Sequence, residues 1–239
     1  MASVGLVPVS DPLGAIADRL SPTPGATRVL AVAGPVAVGK STVAAHLADH
    51  LRANGDRVAV VATDGFLHSN AILANRGLLD RKGYPETYDL DRLEAVVTAA
   101  RTGGTSLEVP VYSHERYDVV ADPVPIDRPD VLVVEGVVAL QRAFADLGVY
   151  IHAEEAHVVG WYVARFQTLI EAAGDDPTSF YRAWTGLDDA AVDDLARAVW
   201  EGVNHPNLVE HIAPTRAGAD VIIHKGADHQ ILSLEWADP

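Results

Sequence analysis

The stretch from residue 34 to residue 41 constrains the fold of this chain more than any other. It reads GPVAVGKS, which has the complete G-x-x-x-x-G-K-[ST] spacing of a phosphate-binding loop. The apolar run 29–33 precedes it, and Val43, Leu47 and Leu51 recur every fourth residue after it. A buried strand, a glycine-rich loop and a helix therefore follow one another. This order predicts an α/β domain with a parallel sheet and a site for a nucleoside triphosphate.

Each fixed position of the loop has a physical role. Gly34 and Gly39 let the backbone turn so that its N–H groups point at phosphate oxygens, and the following helix adds its positive end. Lys40 is predicted to reach the β- and γ-phosphates, and Ser41 to place its hydroxyl on a bridging Mg²⁺. The predicted nucleotide-binding set is completed by Val36, Ala37, Val38 and Thr42. The expected ligands are ATP or GTP with magnesium.

Composition excludes several classes of function. The 239 residues carry a formal net charge of -15, which repels nucleic-acid backbones and anionic membrane surfaces. No apolar stretch reaches the roughly 18 residues that a membrane span needs. The lack of cysteine excludes disulfides, thiolate metal sites and cysteine nucleophiles. We therefore expect a cytoplasmic protein whose partner is a small molecule, with neither nucleic acid nor a membrane.

Length and local composition predict one large domain. Residues 1–27 are expected to form an N-terminal segment with a linker at 21–25, where the sequence reads SPTPG. Residues 28–239 are then expected to form a single α/β domain. The chain has no Lys or Arg before Arg19, so a cationic secretory signal is not expected.

Two carboxylates are predicted to stand beside the loop. A second β-branched run, 57–63, ends at Asp64, and the strongly apolar run 130–136 contains Glu135 near its end. In open parallel sheets the ligand crevice lies outside the carboxyl ends of the strands, where the phosphate loop also emerges. Asp64 is therefore expected to face the γ-phosphate, with Glu135 beside it.

The remaining elements predict a continued alternation of strand and helix. A helix is expected to open at Asp91, to end at Gly103 and Gly104, and to lead into a strand at 107–111. The expected later elements are a strand at 149–152, helices at 154–173 and 188–203, and a last strand at 219–224. The fold class is thus α/β, a doubly wound, mostly parallel sheet of the P-loop NTPase kinase type. A helical lid is expected at about 154–204.

Several segments together resemble the prokaryotic (type I) pantothenate kinases, a family within the phosphoribulokinase and uridine kinase group of P-loop kinases. The matches extend in family order over most of residues 28–232 and are more specific than the loop alone. They are GPVAVGKS at 34–41, TDGFL at 63–67, KGYPETYD at 82–89, VYSH at 111–114, YD at 117–118, VEG at 134–136, WY at 161–162, RF at 165–166, NL at 207–208 and PTR at 214–216.

The resemblance implies roles at the phosphate end of the site. Asp64 matches the carboxylate that accepts the proton of the substrate hydroxyl, a role that its place at a strand end also supports. Glu135 matches a residue that helps to hold magnesium. Arg165 matches the lid arginine that contacts the transferred phosphoryl group, where a planar cation stabilises spread charge. His229 matches a residue near the adenine.

The resemblance also implies an acceptor site and a homodimer. Tyr162 and Asn204 match positions that contact pantothenate. The residues that match the lining of the acceptor channel are Tyr112, His114 and Tyr117.

The chain departs from the family pattern mainly around the acceptor. Leu169 and Gly174 replace aromatic positions of the lid, and His205-Pro206 replaces bulkier apolar residues beside the acceptor-site asparagine. Ala45 stands where the family has a basic residue that contacts the phosphates of inhibitory coenzyme A, and the region before the loop is shorter. The phosphate-binding residues are intact, so the sequence determines the reaction class better than the substrate.

Three hypotheses follow for the function. The first is an ATP- and Mg²⁺-dependent kinase of a primary hydroxyl, with pantothenate as the leading acceptor and hence a role in coenzyme A biosynthesis. The second keeps this chemistry but changes the acceptor to uridine, cytidine, a sugar or a specialised metabolite. The third is a nucleotide-binding regulatory protein without an acceptor, which would not need Asp64, Tyr162 or Asn204.

Overall fold

Strands and helices alternate through the part of the chain that the computed structural model describes, residues 11–20, 25–103 and 105–237. The strands are β1 (Arg28–Ala33), β2 (Val58–Ala62), β3 (Ser106–Val109), β4 (Tyr112–Ser113), β5 (Asp118–Val119), β6 (Val124–Asp127), β7 (Val131–Glu135), β8 (Leu147–Ala153), β9 (Val221–Lys225) and β10 (Ile231–Trp236). The α-helices are α1 (Pro12–Arg19), α2 (Lys40–Ala53), α3 (Asn70–Asn75), α4 (Leu90–Thr102), α5 (Glu155–Ala173), α6 (Asp189–Val199) and α7 (His205–Asn207).

One sheet of six strands organises the molecule, in the order β10-β9-β8-β1-β7-β2. Every pair in it is parallel except β9 with β10. All residues of β7 are buried, as are those of β1 apart from its first residue, because helices cover both faces of the sheet. Such strands read as uninterrupted apolar runs, which is the pattern that predicted them. The predicted doubly wound, mostly parallel α/β fold is confirmed.

Alternate side chains of the central strands enter two separate cores. Leu30 and Val32 of β1 pack on one face with α1 and α2. Val29 and Ala31 pack on the other face with α4 and the segments around 208–219. The periodic residues that predicted α2 all lie in the first core: Val43, Leu47 and Leu51.

The N-terminal segment contributes a helix that the sequence analysis did not foresee. Ile16 in the middle of α1 and Leu20 just after its end are fully buried against α2. The guanidinium of Arg19 lies 4.5 Å from the ring centroid of Trp236 on β10, within the range of a cation–π contact. The linker predicted at 21–25 lies outside the described residues apart from its last glycine.

Two predictions in the middle of the chain were wrong in detail. α4 begins at Leu90, because the side chain of Asp89 caps it by accepting a hydrogen bond from the Arg92 N–H at 2.9 Å. The strand expected at 107–111 is β3, and it pairs antiparallel with β6 outside the main sheet. Its residues alternate between exposed and buried, which is typical of an antiparallel strand with one face in water. Gly104 lies outside the described residues.

The C-terminal half confirms the long helix α5 and corrects the helix predicted at 188–203. α6 stops at Val199, and the chain continues through a π-helical turn, Trp200–Asn204, then α7 and a second π-helical turn, Leu208–Ile212. Pro206 lies between the two turns and lacks the N–H that a regular helix needs. The edge strand β10 was not predicted; it returns antiparallel to β9 after a short turn.

A third, smaller hydrophobic cluster joins α5 to α6 and to the 3-10 turn Phe180–Trp184. Its buried members are Val163, Phe166, Ile170, Ala173, Tyr181, Val192 and Ala196. α5 is the longest of the described helices, with 19 residues, and none of these helices is long and apolar enough to cross a bilayer.

Candidate active site

Three neighbouring strands bring the phosphate loop and both predicted carboxylates to one edge of the sheet. β7 lies between β1 and β2, so that Val32 and Ala62 both pair with Glu135. The loop leaves the end of β1, and Asp64 follows β2 within the 3-10 turn Thr63–Phe66. Glu135 is the last residue of β7. The carboxyl edge of the sheet therefore carries the donor residues that the sequence placed there.

The loop has a backbone conformation that exposes amides rather than side chains. Gly34 has a φ of 149°, and a Cβ atom there would lie 2.7 Å from the carbonyl oxygen of Ile151. Gly39 has a φ of 87° and Ala37 one of 62°. The side chain of Val38 is fully buried in the core. Such a cradle suits the phosphate oxygens of a nucleotide.

Lys40, Ser41 and Glu135 form a compact group at the first turn of α2. The hydroxyl of Ser41 donates a hydrogen bond to Glu135 Oε1 at 2.8 Å, and Lys40 Nζ donates one to the carbonyl oxygen of Pro35 at 2.8 Å. Burial raises the pKa of Glu135, and the charge of Lys40 opposes this shift. Burial lowers the pKa of Lys40, and the charges of Glu135 and Asp64 oppose that shift.

The oxygen atoms of this group fit magnesium. Hydroxyl and carboxylate oxygens are the hard ligands that Mg²⁺ prefers, and in kinases it takes one or two of them from the protein and the rest from phosphates and water. Among the described residues, no group of three or more His, Cys, Asp or Glu side chains could hold a metal ion. Ser41 and Glu135 place two such oxygens beside the loop, which fits a metal shared with a bound nucleotide.

Asp64 is held by a residue to which the sequence analysis assigned no role. The hydroxyl of Tyr88 donates a hydrogen bond to Asp64 Oδ1 at 3.3 Å. Burial, and then the charge of Asp64, raise the pKa of Tyr88 well above its ordinary value. Tyr88 therefore remains a hydrogen-bond donor at physiological pH and orients the carboxylate. Tyr88 lies in the segment 82–89, which resembles the family, and that resemblance is the sequence signal that could have identified it.

Lys82, in the same segment, lies buried on the acceptor side of Asp64. Its ammonium donates hydrogen bonds to Asn70 Oδ1 at 2.6 Å and to the carbonyl oxygen of Tyr117. It lies 4.0 Å from the ring centroid of Tyr117 and 4.9 Å from that of Tyr112. Burial lowers the pKa of Lys82 to about 8, against the opposing charges of nearby carboxylates that include Asp64.

The predicted acceptor-channel residues form one aromatic wall. The ring of Tyr112 lies 5.1 Å from that of His114 and 6.4 Å from that of Tyr117. Phe180, which the sequence analysis did not single out, stacks on Tyr117 with ring centroids 4.4 Å apart. The backbone N–H of Phe180 also donates to the carbonyl oxygen of Glu115 at 2.8 Å. The segment after α5 therefore closes over the wall from the lid side.

Tyr162 and Asn204, the predicted acceptor contacts, lie close enough to affect each other. Burial raises the pKa of Tyr162, so its hydroxyl stays protonated, and Asn204 opposes this shift. Asn204 ends the first π-helical turn with helical backbone angles, φ -74° and ψ -41°, and the helix continues beyond it. π-helical turns redirect side chains and occur frequently at functional sites.

A cavity of about 330 Å³ lies at the phosphate loop. It is lined by Ala37, Gly39, Lys40, Ser41, Thr42, Trp161, Ala164, Arg165 and His229. The rings of Trp161 and His229 stack with centroids 3.8 Å apart, and the indole N–H donates to the carbonyl oxygen of Ala227 at 3.1 Å. The cavity thus joins Arg165 and His229 to the loop. The sequence analysis named Trp161 only as part of the matched segment WY at 161–162 and assigned it no role.

A larger groove of about 800 Å³ runs beside β2 and β6. It is lined by residues such as Arg57, Val60 and Arg128 and contains none of the predicted site residues. The chemistry of the lining therefore favours the smaller cavity as the nucleotide site.

The fold and the site together define a P-loop phosphotransferase that acts on small molecules, with a phosphate loop beside a carboxylate and a separate aromatic wall. The model of the phosphoribulokinase / uridine kinase family matches residues 29–165. The chain belongs to this family and, within it, to the pantothenate kinases.

The relatives that carry this assignment match most of the chain. This chain is 45% identical over 219 residues to the pantothenate kinase of Sorangium cellulosum, and the match covers 86% of this chain and 71% of that protein. It is 40% identical over 223 residues to the pantothenate kinase of Cutibacterium acnes, covering 86% and 68%.

Solved structures support the same fold. A candidate fructose transport system kinase from Silicibacter sp. TM1040 matches with a TM-score of 0.68 and 25% identity, covering 87% of this chain and 94% of that chain. A D-glycerate 3-kinase from Cryptococcus neoformans matches with a TM-score of 0.64 over 94% of this chain and 96% of that one. Its 16% identity shows the fold alone.

Proposed function

We propose that this chain is an ATP- and Mg²⁺-dependent kinase that transfers the γ-phosphate to the primary hydroxyl of pantothenate. The observation that carries the proposal is the 45% identity to a pantothenate kinase over most of the chain. The closeness of Tyr162 and Asn204, seen in the effect of Asn204 on the pKa of Tyr162, supports it, because these are the positions that the resemblance assigns to the acceptor.

In this proposal the donor residues bind and hold the nucleotide. The amides of the loop and the ammonium of Lys40 bind the phosphate chain, and Ser41 and Glu135 hold the metal. When bound, Mg²⁺ neutralises charge on the β- and γ-phosphate oxygens. Arg165 lines the same cavity as the loop and places its planar cation against the transferred phosphoryl group.

Asp64 acts as the base in the proposed reaction. The acceptor hydroxyl loses its proton to the Asp64 carboxylate while its oxygen bonds to the γ-phosphorus. The bond from that phosphorus to the β–γ bridging oxygen breaks, and ADP leaves. Tyr88 keeps the carboxylate oriented for this step through its hydrogen bond to Oδ1.

The region at about 154–204 acts as the lid in this proposal. The second half of α5, the turn Phe180–Trp184 and α6 pack together in a small cluster, which includes Phe166, Tyr181 and Val192. Closure brings Arg165 and Phe180 over the reacting groups and excludes water. We further propose that the enzyme is a homodimer, as the resemblance implies, and acts in the cytoplasm, where ATP is available. Sedimentation equilibrium measures the oligomeric state.

A kinase assay over a panel of acceptors tests the proposal. Pantothenate, uridine, cytidine, glycerate and simple sugars are each supplied with Mg²⁺ and ATP, and both ADP and the phosphorylated product are measured. Pantothenate is expected to have the highest kcat/KM. Lack of turnover at about 1 mM pantothenate, the upper end of usual KM values, would overturn the proposal. Faster turnover of a nucleoside or sugar, or ATP hydrolysis that no acceptor changes, would likewise contradict it.

A further inference from the structure

Lysine is rare in this chain and is confined to one region of the fold. Of the 18 Lys and Arg residues, only three are lysines: Lys40, Lys82 and Lys225. The pKa of each is lowered, with burial as the first cause. Lys40 and Lys82 belong to the site described above. Lys225 is the last residue of β9, and neither the sequence analysis nor the proposed mechanism assigns it a role.

Lys225 packs directly against the phosphate loop. Its side chain is 6% exposed, and Nζ donates a hydrogen bond to the carbonyl oxygen of Val38 at 3.0 Å. A Cβ atom built on Gly39 would lie 2.8 Å from Nζ and 3.8 Å from Nδ1 of His229. Among the described residues, no carboxylate lies within ion-pair distance of this ammonium. A buried charge that is paired with a carbonyl rather than a carboxylate costs folding free energy.

The hydrogen bond to Val38 determines where the next amide points. A peptide unit is planar, and in the trans form its C=O and N–H point in opposite directions. None of the described peptide bonds is cis. With the Val38 carbonyl held by Lys225, the N–H of Gly39 therefore points away from the ammonium. Gly39 lines the nucleotide cavity, whereas the side chain of Val38 is buried in the core.

We propose that Lys225 is a positioning residue of the donor site, which holds the peptide between Val38 and Gly39 so that the Gly39 N–H is directed at the phosphate chain of the nucleotide. The ammonium also adds its charge to the positive field of the loop. The inference rests on the nucleotide-binding half of the proposed function and is independent of the acceptor. It explains why a cation is retained where an apolar side chain of similar length would pack at lower cost.

Substitution of Lys225 by Met tests the proposal, because methionine fills a similar volume without charge or donor. The dissociation constant of ADP, measured by calorimetry, is expected to rise about 10- to 100-fold, as for the loss of one hydrogen bond from a charged group. The Tm of the ligand-free variant is expected to equal or exceed that of the wild type, since a buried charge has been removed. A residue with a purely structural role would instead lower Tm and leave the affinity of the folded protein unchanged.

Arg57→Met is the control, since it also removes a cation but Arg57 lines the larger groove, which contains none of the predicted site residues. Its ADP affinity is expected to remain at the wild-type value. Lys225→Gln, which keeps an N–H donor without a charge, is expected to weaken ADP binding less than Lys225→Met does, and it provides the test if that variant does not fold. ADP affinity within about twofold of wild type in either folded Lys225 variant overturns the proposal. The acceptor panel tests the proposed function separately. Failure of the Lys225 proposal and failure of the proposed function can therefore be told apart.

Discussion

At the scale of single residues, burial and neighbours give the two site carboxylates different chemistry. Glu135 is 8% exposed and lies against Ser41 and Lys40, which suits a residue that holds a metal. Asp64 lies just beyond a strand end and receives a hydrogen bond from the protonated Tyr88 hydroxyl. This hydrogen bond orients the carboxylate, which in the proposed mechanism removes the proton of the acceptor hydroxyl. Burial and neighbouring groups rather than residue type separate the two proposed roles.

Replacing Asp64 by Asn is expected to lower kcat about 10²- to 10⁴-fold, because the amide cannot accept the proton of the acceptor hydroxyl. ATP affinity, measured by calorimetry, is expected to stay near the wild-type value. Asp80→Asn, which changes an exposed carboxylate in the turn Leu79–Arg81, is the control and is expected to retain full turnover. Near-normal kcat in the Asp64 variant would remove this residue from the mechanism.

The pKa of Lys82 predicts a pH dependence of the reaction. Below about pH 8 the Lys82 ammonium is charged and attracts the nearby carboxylates, which include Asp64. Above that pH it loses its proton. The kcat/KM for the acceptor is expected to fall on the alkaline side with a midpoint near 8. Lys82→Met is expected to be about 10- to 100-fold less active and to lack this alkaline limb. An unchanged limb in the variant would assign the titration to another group.

Unfolding does not account for that alkaline limb. The unfolded chain keeps the Lys82 proton up to its ordinary pKa of 10.5, whereas the folded protein releases it near 8. The unfolded state therefore binds more protons between these values, and this group makes the folded state more stable as pH rises through the window. The Tm is therefore measured between pH 7 and 9. If it does not fall over this range, the alkaline loss of activity reflects the lost charge of Lys82 rather than unfolding.

At the scale of elements, two strand-to-turn junctions are packed into each other. Gly136, after β7, has a φ of 151°, and a Cβ atom there would lie 1.7 Å from Thr63 Oγ1. Thr63 is fully buried at the start of the turn that carries Asp64, and its hydroxyl has no hydrogen-bond partner among the described residues. The distance between the two carboxylate-bearing turns thus depends on the lack of a side chain at position 136.

Gly136→Ala is expected to destabilise the protein by about 1–3 kcal/mol, because the methyl group displaces Thr63 and the backbone is strained. The displaced turn carries Asp64, so kcat is expected to fall as well. Gly160→Ala is the control, since no atom would lie within 4 Å of its Cβ on α5, and it is expected to stabilise by up to about 1 kcal/mol. Chemical denaturation measures the free energy of unfolding of both variants, and the kinase assay measures kcat. Wild-type stability and turnover in the Gly136 variant would contradict this packing argument.

At the scale of the whole molecule, the strands and the lid belong to different packing units. The sheet is buried between two large clusters, which hold the phosphate loop and the carboxylates on rigid elements. The second half of α5, the turn Phe180–Trp184 and α6 pack on their own small cluster. Units with few buried contacts open locally at lower free energy than a central sheet. The proposed donor site therefore rests mainly on the central sheet, while the proposed acceptor site includes side chains of the smaller unit.

Hydrogen exchange is expected to show this difference. Amides of residues 175–199 are expected to exchange faster than those of β1 and β7 in the ligand-free protein, because they open without disturbing the sheet. Addition of ADP with pantothenate is expected to slow exchange in that segment more than ADP alone does, since the acceptor holds the lid against the aromatic wall. Equal protection of the lid and the central strands before ligand is added would contradict the two-unit description.

The sequence alone was sufficient for the class of fold and for placing the predicted donor residues at one edge of the sheet. Residues 34–41 form a local motif whose backbone requirements are visible as glycines, and the apolar runs of β1 and β7 indicate buried parallel strands. Asp64 and Glu135 could be placed because strand ends in such sheets meet at one edge. The predicted acceptor residues Tyr162 and Asn204 were singled out only through the resemblance, since no local pattern points to them.

Only the tertiary structure decided which distant residues meet around the motif. Lys225 lies 187 positions after Val38 in the chain, and its contact with the loop follows from strand order rather than from any local pattern. The pairing of β3 with β6 and the stacking of Phe180 on Tyr117 likewise depend on how separate segments pack. The sequence determined what can bind phosphate, because that chemistry is local. The folded chain decided how the loop is held and what faces it, because long-range packing brings those groups together.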